Sequence, residues 1–141
     1  MVIELMHYEE IIKIFPRPCV DIMLVDEIGR VLLMLRANNP AQGQWWCPGG
    51  RIYFGETRFE AARRKLKEEV AVDATELTEI ATFDLFFSIN DIKYHDITNL
   101  FKMHLKSNCK IQTDLQAMEY GWFTKNECQE LELHPYILNN V

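Results

Sequence analysis

Hydrophobic and polar positions along the chain follow patterns that predict a mixture of helices and strands. Helical spacing occurs over residues 7–15 and 57–70, and in the second segment apolar residues recur every three or four positions. Runs rich in β-branched and aromatic residues predict strands over 19–25, 30–35, 80–89, 97–105 and 119–123. The elements do not alternate as regular βαβ units, so the pattern predicts an α+β sandwich with a mixed sheet between helices.

Short polar segments predict how these elements are connected. Residues 26–29 indicate a hairpin turn, residues 38–43 a loop, and the Pro-Gly-Gly sequence at 48–50 a sharp turn. Residues 124–127 (TKNE) are typical of a capping box that opens a short helix. Because no repeat, low-complexity tract or linker divides the sequence, we predict a single domain over residues 1–141.

Composition and charge exclude several classes of protein. The chain has 48% hydrophobic and 26% charged residues, close to the average for globular proteins, and a formal net charge of −6 that disfavours contact with a nucleic-acid backbone. It contains no run of about 20 apolar residues that could span a bilayer and no signal-peptide pattern. The scattered cysteines lack a C-x-x-C pair and are interpreted as reduced thiols. We therefore expect a cytoplasmic protein without nucleic-acid or membrane partners.

Carboxylates gather at the end of the helix predicted over 57–70. Glu68 and Glu69 occupy its last turn, where the helix dipole disfavours a negative charge by roughly 0.3–1 kcal/mol each. One interpretation is a solvated face with local pairs such as Arg64 with Glu68, worth about 0.2–0.5 kcal/mol. The other is a divalent cation such as Mg²⁺, held by these carboxylates and a carbonyl of the Gly-Gly segment. Residue chemistry alone favours the first.

Two further features carry both a structural and a functional interpretation. Asp21 interrupts an apolar strand, and it is either a solvent-facing strand residue, which is slightly favoured, or a substrate contact. The aromatic residues Trp45, Trp46, Tyr53 and Phe54 flank the glycine segment. Aromatics at this density usually belong to the core, although one of these four rings could stack on a purine base.

Residues 49–72 resemble the Nudix box. The matching residues, at the spacing of the box, are Gly50, Glu56, Arg64, Leu66, Glu68, Glu69 and Val72. The resemblance implies a Nudix-like α/β/α sandwich and a hydrolase that uses Mg²⁺, with Mn²⁺ as an alternative, on a nucleoside diphosphate derivative. Ala71 replaces the usual glycine after the helix. Lys65 replaces a glutamate that serves as a metal ligand or base in many Nudix pyrophosphohydrolases, and a protonated ammonium cannot bind a cation.

Residues 35–51 are similar to the GDP-mannose mannosyl hydrolase branch of the family. That branch tolerates loss of the box glutamate, and its enzymes displace GDP from the sugar carbon with water. The resemblance implies that the Gly49 carbonyl, Glu69 and Gln116 bind Mg²⁺, with Glu68 assisting.

The same resemblance implies the residues that meet the substrate. It places Asp21, Arg36 and Arg51 at the substrate, where the two arginines neutralise charge on the leaving diphosphate. Arg36, Arg51 and Glu68 are thus the predicted catalytic residues. Arg64 is expected to brace the helix by pairing with Glu56 or Glu68. Members of the branch form homodimers, so a homodimer is also implied.

One departure from the branch concerns the general base. Ala117 stands where the branch has a histidine that activates water, and the nearest substitutes along the sequence are His95, Asp96, His104, Asp114 and Glu119. Three functions remain open. The leading one is a nucleoside diphosphate sugar hydrolase that releases nucleoside diphosphate and sugar. The others are a pyrophosphohydrolase that attacks phosphorus, and a nucleotide-binding module with impaired catalysis.

Overall fold

The computed structural model describes residues 5–38, 42–114 and 117–141. Their helices and strands, in chain order, are α1 (Leu5–Ile12), β1 (Arg17–Val25), β2 (Val31–Arg36), β3 (Trp45–Trp46), β4 (Gly49–Arg51), α2 (Arg58–Val70), β5 (Thr78–Ile89), β6 (Ile92–His104), β7 (Ala117–Phe123), α3 (Lys125–Glu130) and α4 (Pro135–Leu138). No helix in these ranges is long and apolar enough to cross a membrane. The four cysteines are free thiols, as predicted.

The described strands form a seven-stranded mixed sheet. Its main path is β3-β2-β1-β6-β5, while β4 pairs with β1 and β7 pairs with β2. β1 and β6 run parallel from the Arg17–Asp96 pair to the Val25–His104 pair, and the other strand pairs are antiparallel. The mixed sheet predicted from the sequence is confirmed.

Helices cover both faces of the sheet. Side chains of successive strand residues point to opposite faces, and on β1 Ile22 belongs to one core cluster and Met23 to the other. On one face α2 contributes buried residues such as Leu66 to the first cluster. On the other face α3 and α4 contribute Cys128 and Ile137 to the second. The α+β sandwich is therefore confirmed, with the central strand β1 buried on both faces.

Caps fix the two ends of α2. Thr57 accepts a hydrogen bond from the Glu60 amide, and the Glu60 side chain accepts one from the Thr57 amide, so the helix opens with a capping box. After the last turn Ala71 adopts a left-handed conformation, with φ of 57°, and its amide donates to the carbonyls of Leu66 and Lys67. The usual helix-terminating geometry is thus kept, although alanine adopts it less readily than glycine.

Several predicted boundaries are wrong. The first helix is Leu5–Ile12 and not residues 7–15, and β6 begins at Ile92, where the sequence pattern predicted residue 97. The sharp turn predicted at 48–50 is confined to a bend at Pro48, because Gly49 and Gly50 lie in β4 and pair with β1. The glycines are needed here for close approach, since a Cβ at Gly49 would collide with the side chain of Asp21 and the carbonyl of Val20.

Candidate active site

The C-terminal end of α2 lies against the first residue of β4. Glu69 is only 1% exposed, and its Oε1 accepts a 2.7 Å hydrogen bond from the Gly49 amide. Gly49 lies opposite Asp21 of β1, but this pair is not a hydrogen-bonded pair of the ladder. The backbone hydrogen bonds form at the adjacent pair, where the Ile22 amide donates to the Pro48 carbonyl at 2.8 Å. This alternation turns the amide and carbonyl of Gly49 away from β1. The helix end and the glycine segment are therefore as close together as a shared metal ion would require.

Lys65 lies beside the same carboxylates. Its side chain is 9% exposed, and its Nζ is 3.5 Å from Glu68 Oε2 and 3.9 Å from Glu69 Oε2. The lysine stem passes over β4, because a Cβ built on Gly50 would be 2.6 Å from Lys65 Cε. The absence of a side chain at Gly50 thus makes room for the lysine that replaces the box glutamate.

The charge of Glu69 is governed by burial and by four neighbours. Burial raises the pKa of Glu69 to about 7, while the Lys65 ammonium and the Gly49 amide act to lower it. Asp114 raises this pKa and Arg36 lowers it, so both charges lie close enough to act on the carboxylate. The Asp114 amide also donates to the Glu69 carbonyl at 3.3 Å. Asp114 therefore lies beside the predicted metal site, and Arg36 is close enough for its charge to lower the pKa of Glu69.

Arg64 ties the helix to the segment that precedes it. Its Nε and Nη2 donate to the two carboxylate oxygens of Glu56 at 2.7 and 2.9 Å, and Nη2 also donates to the Arg51 carbonyl. Its Nη1 lies 3.3 Å from both oxygens of Glu68. These bonds, made by Arg64, hold the pKa of Glu56 below its usual range. The predicted bracing role of Arg64 is confirmed, and it uses both carboxylates.

Arg51, a predicted substrate residue, follows Gly50 at the end of β4. Its guanidinium carbon lies 5.2 Å from the ring centroids of both Tyr8 and Tyr53, within the range of cation–π contact. The guanidinium carbon of Arg64 also lies over the Tyr53 ring, 3.8 Å from its centroid. These contacts hold Arg51 between two rings two residues beyond Gly49, on the same strand.

Asp21 is buried, so the interpretation as a solvent-facing residue is wrong. It lies on the central strand and is 6% exposed. Trp46 Nε1 donates to its Oδ1 at 3.2 Å, and the hydroxyls of Thr98 and Tyr136 donate to its Oδ2 at 2.8 and 3.0 Å. Burial raises the pKa of Asp21 to about 7, against the lowering effect of these hydrogen bonds. Its role at the substrate stays a prediction.

The flanking aromatic residues divide between core and surface. Trp46 is buried, as the core interpretation predicts, and Trp45 meets the ring of Phe123 edge-on at 5.0 Å between centroids. Tyr53 is held between arginines. Phe54, in contrast, is 95% exposed. Among these four aromatic residues, Phe54 is the side chain most open to a nucleobase.

The other candidate bases lie elsewhere or carry other contacts. Asp96 forms an ion pair with Arg17, at 2.6 Å from Arg17 Nε. His95 Nε2 lies 3.2 Å from Asp84, and the His95 ring stacks on Phe86. The side chains of His104 and Glu119 are exposed. Asp114, in contrast, lies close enough to Glu69 for its charge to raise the pKa of that carboxyl group.

The donors at the helix end fit a hard divalent cation. Mg²⁺ prefers oxygen ligands and retains several waters, and Glu69, Glu68 and the Gly49 carbonyl all supply oxygen. Within the described ranges no three His, Cys, Asp or Glu side chains form a metal cluster, so backbone or amide oxygens are needed as well. The predicted amide ligand, Gln116, lies outside the described residues. The metal roles of these four residues stay predictions.

The mixed sheet, the helices on its two faces and the carboxylates at the end of α2 define the class of protein as an α/β/α sandwich, with a candidate site between a helix end and a strand that contains two glycines. Over residues 15–138 the sequence matches the family described as NUDIX domain, and the chain belongs to the Nudix family. Hydrolases of this family generally use divalent ions such as Mg²⁺.

Known proteins similar to this chain differ in what their names describe. The low-salt glycan biosynthesis protein Agl8 of Haloferax volcanii is 32% identical over 134 residues, which cover 92% of this chain and 83% of that protein. An RNA pyrophosphohydrolase of Novosphingobium aromaticivorans is 43% identical over 65 residues, which cover 46% of this chain and 40% of that protein.

Solved structures share the fold. The NUDIX domain of Shewanella oneidensis NrtR, complexed with ADP ribose, superposes with a TM-score of 0.74 and 21% sequence identity, covering 89% of this chain and 85% of that one. At this level of identity the likeness shows the fold alone. The Nudix fold implied by the box is confirmed.

Proposed function

We propose that the protein is a nucleoside diphosphate sugar hydrolase, acting on a GDP-mannose-like substrate and releasing nucleoside diphosphate and sugar. The observation that carries the proposal is the contact of buried Glu69 with Gly49, made in a box whose glutamate position holds Lys65. Lys65 removes a carboxylate that many pyrophosphohydrolases need, which favours the branch that works without it. The similarity to a glycan biosynthesis protein over most of the chain supports a sugar-linked substrate.

In this proposal the Gly49 carbonyl, Glu69 and Gln116 hold Mg²⁺ or Mn²⁺, and Glu68 assists. When bound, the ion neutralises the diphosphate and makes it a better leaving group. Glu69 is suited to the role because its partner Gly49 orients the carboxylate at the end of α2. Arg64 keeps Glu68 in the same region through its 3.3 Å contacts.

Arg36, Arg51 and Asp21 are proposed to lie on the substrate side. Arg36 is the last residue of β2 and lies close enough to Glu69 for its charge to lower the pKa of that carboxyl group. Arg51 lies two residues beyond Gly49 on β4. Guanidinium groups pair with phosphate oxygens in a bidentate manner, so both can stabilise negative charge on the departing diphosphate. Asp21 pairs with Gly49 across the strands.

Water supplies the oxygen that ends on the sugar. Its oxygen bonds to the anomeric carbon while the bond from that carbon to the diphosphate oxygen breaks, and the nucleoside diphosphate leaves with the electron pair. A base must take the proton of the water. Asp114 is the candidate that the structure supports best, because it lies beside Glu69 at the predicted site.

A second enzyme function is attack on phosphorus. It is favoured by the local similarity to an RNA pyrophosphohydrolase, which is 43% identical over 65 residues. In that reaction Glu68 or Glu69 would assist the water, and the products would be a nucleoside monophosphate and a sugar phosphate. A nucleotide-binding module with impaired catalysis is the third function, motivated by Lys65 and Ala117.

Product analysis in ¹⁸O-labelled water separates these functions. The purified chain is incubated with Mg²⁺ and a panel of nucleoside diphosphate sugars, and the products are identified by mass. Nucleoside diphosphate with labelled sugar is the expected result. Nucleoside monophosphate with sugar phosphate would overturn the carbon-attack assignment. Tight nucleotide binding without any product would instead identify the binding module.

We also propose that the chain forms a homodimer, as its resemblance to the mannosyl hydrolase branch implies. Support comes from an apolar surface between the end of α1 and the β5–β6 hairpin. Ile14, Phe15 and Phe86 are 72%, 62% and 69% exposed, and they line a cavity of about 530 Å³. Contiguous exposed apolar side chains of this kind are typical of contact surfaces between proteins.

A further inference from the structure

Lys65 is buried in a way that an ordinary helix-surface lysine is not. Its side chain is 9% exposed, whereas that of Lys67, on the same helix, is 62% exposed and pairs with Asp73 at the surface. A lysine gains little from a surface ion pair and normally keeps its ammonium in water. The burial of the Lys65 side chain against Gly50 therefore needs a specific partner for the ammonium that offsets its loss of hydration.

The partner is a pair of adjacent carboxylates. Lys65 Nζ lies 3.5 Å from Glu68 Oε2 and 3.9 Å from Glu69 Oε2, so one ammonium forms an ion pair with both carboxylates. Without it, Glu68 would keep its contact with Arg64, but buried Glu69 would lose its nearby ammonium at the end of a helix whose dipole disfavours a negative charge. The charge balance that divalent cations provide in carboxylate clusters is here supplied in part by a side chain of the protein.

We propose that the Lys65 ammonium occupies a cation position between Glu68 and Glu69 and limits the site to one divalent ion per chain. The inference rests on the proposed function to the extent that Glu69 binds that ion. A covalently attached cation cannot dissociate, so the site keeps Glu69 paired whether or not a metal is present. Replacing the ammonium with a carboxylate should open a second metal position at the same place.

Metal stoichiometry tests this directly. Mn²⁺ binding is titrated by calorimetry and by electron paramagnetic resonance for the wild type, Lys65→Glu and the control Lys67→Glu. Both substitutions change the charge equally on one helix, but only the first removes the ammonium from Glu68 and Glu69. We expect one ion in the wild type, two in Lys65→Glu and one in Lys67→Glu.

Lys65→Met provides a second measurement that does not add a carboxylate to the site. Removing a positive charge near Glu69 should tighten binding of the single Mn²⁺ ion roughly 10-fold, since the ammonium repels the incoming cation. Lys67→Met, at an exposed position, should change the affinity less than about 2-fold. Far-UV circular dichroism and melting curves establish that each variant is folded.

The outcomes separate the inference from the proposed function. One ion in folded Lys65→Glu, or unchanged affinity in Lys65→Met, would overturn the role of Lys65 while leaving the single-ion site of the wild type in place. A wild type that binds no Mn²⁺, even with GDP present, would overturn the metal site of the proposed function and this inference together.

Discussion

Asp21 and Glu69 are far apart in the sequence, but both are buried next to Gly49. Asp21 lies on β1 and Glu69 lies in the last turn of α2. Burial raises the pKa of each to about 7, above the ordinary value of an exposed carboxylate. In the unfolded chain both groups lose their protons near pH 4. Between about pH 4 and 7 the folded state therefore holds more protons than the unfolded state, and these groups lower the free energy of unfolding as the pH rises.

Tyr136→Phe should show this coupling at Asp21. The substitution removes the 3.0 Å hydrogen bond from the Tyr136 hydroxyl to Asp21 Oδ2. At pH 8.5 Asp21 is ionised, and loss of a bond to a charged group should cost about 1.5–3 kcal/mol of unfolding free energy. At pH 5 the carboxyl is protonated and the cost should fall to about 0.5–1.5 kcal/mol. Urea denaturation at the two pH values measures it, and an equal cost at both would contradict the assigned ionisation.

Glu69→Gln should remove most metal-dependent turnover and leave the fold intact. The amide oxygen of glutamine can still accept the hydrogen bond from Gly49, but a neutral amide binds Mg²⁺ weakly, so kcat should fall about 100-fold or more. Glu76→Gln, at an exposed position, is the matched control. Steady-state kinetics with the substrate identified by product analysis provide the readout. Full activity of Glu69→Gln would reject Glu69 as a ligand.

At the scale of elements, the two ends of α2 are stabilised unequally. The N-terminal end has a complete capping box, whereas the C-terminal end places Ala71 at φ of 57°, in a region that suits glycine. The same helix presents Glu68 and Glu69 to β4. Stability of its last turn therefore contributes to the geometry of the site.

Ala71→Gly should stabilise the protein. A left-handed conformation costs a non-glycine residue roughly 1–2 kcal/mol, and the added chain entropy of glycine in the unfolded state offsets part of the gain. We expect the free energy of unfolding to rise by about 0.5–1 kcal/mol in urea denaturation. Thr57→Ala, which breaks the capping box, should lower it by about 1 kcal/mol. A lower stability of Ala71→Gly would argue against the left-handed cap.

Elements with local signals could be predicted from the sequence. The apolar spacing located α2 within one residue, and the mixed sheet followed from the order of elements. The tight turn between β5 and β6 was not predicted, because the second strand was expected to begin at residue 97. Asn90 and Asp91 form this turn with φ of 50° and 65°, and both residue types are typical of tight hairpins. β4 was missed because its glycines serve close approach to β1, which depends on a partner strand distant in sequence.

The candidate site was predictable only in part for the same physical reason. The resemblance to the Nudix box implied that Glu69 lies near Gly49, whereas residue chemistry alone favoured a solvated face for this carboxylate. The surroundings of Asp21 could not be predicted, because its three donors, Trp46, Thr98 and Tyr136, come from separate strands and a helix. The proximity of Lys65 to Gly50 likewise depends on how α2 packs on β4.

At the scale of the whole molecule, the apolar surface formed by Ile14, Phe15 and Phe86 predicts self-association. Size-exclusion chromatography with light scattering should give the mass of a dimer for the wild type at micromolar concentration. Phe86→Asp should shift the chain to the monomer, because a charge at a buried contact is strongly unfavourable. Phe54→Asp, a substitution at another exposed aromatic, should leave the dimer mass unchanged. A monomeric wild type would contradict the proposal.

The space left by Gly50 makes residues 50 and 65 dependent on one another. A single methyl group at 50 would occupy the volume through which the lysine stem reaches the acidic pair, and the end of the lysine side chain would have to shift away from its present position. The electrostatics of the site can therefore be altered by a substitution that changes no charged residue, and pairs of changes at these two positions should not have additive effects.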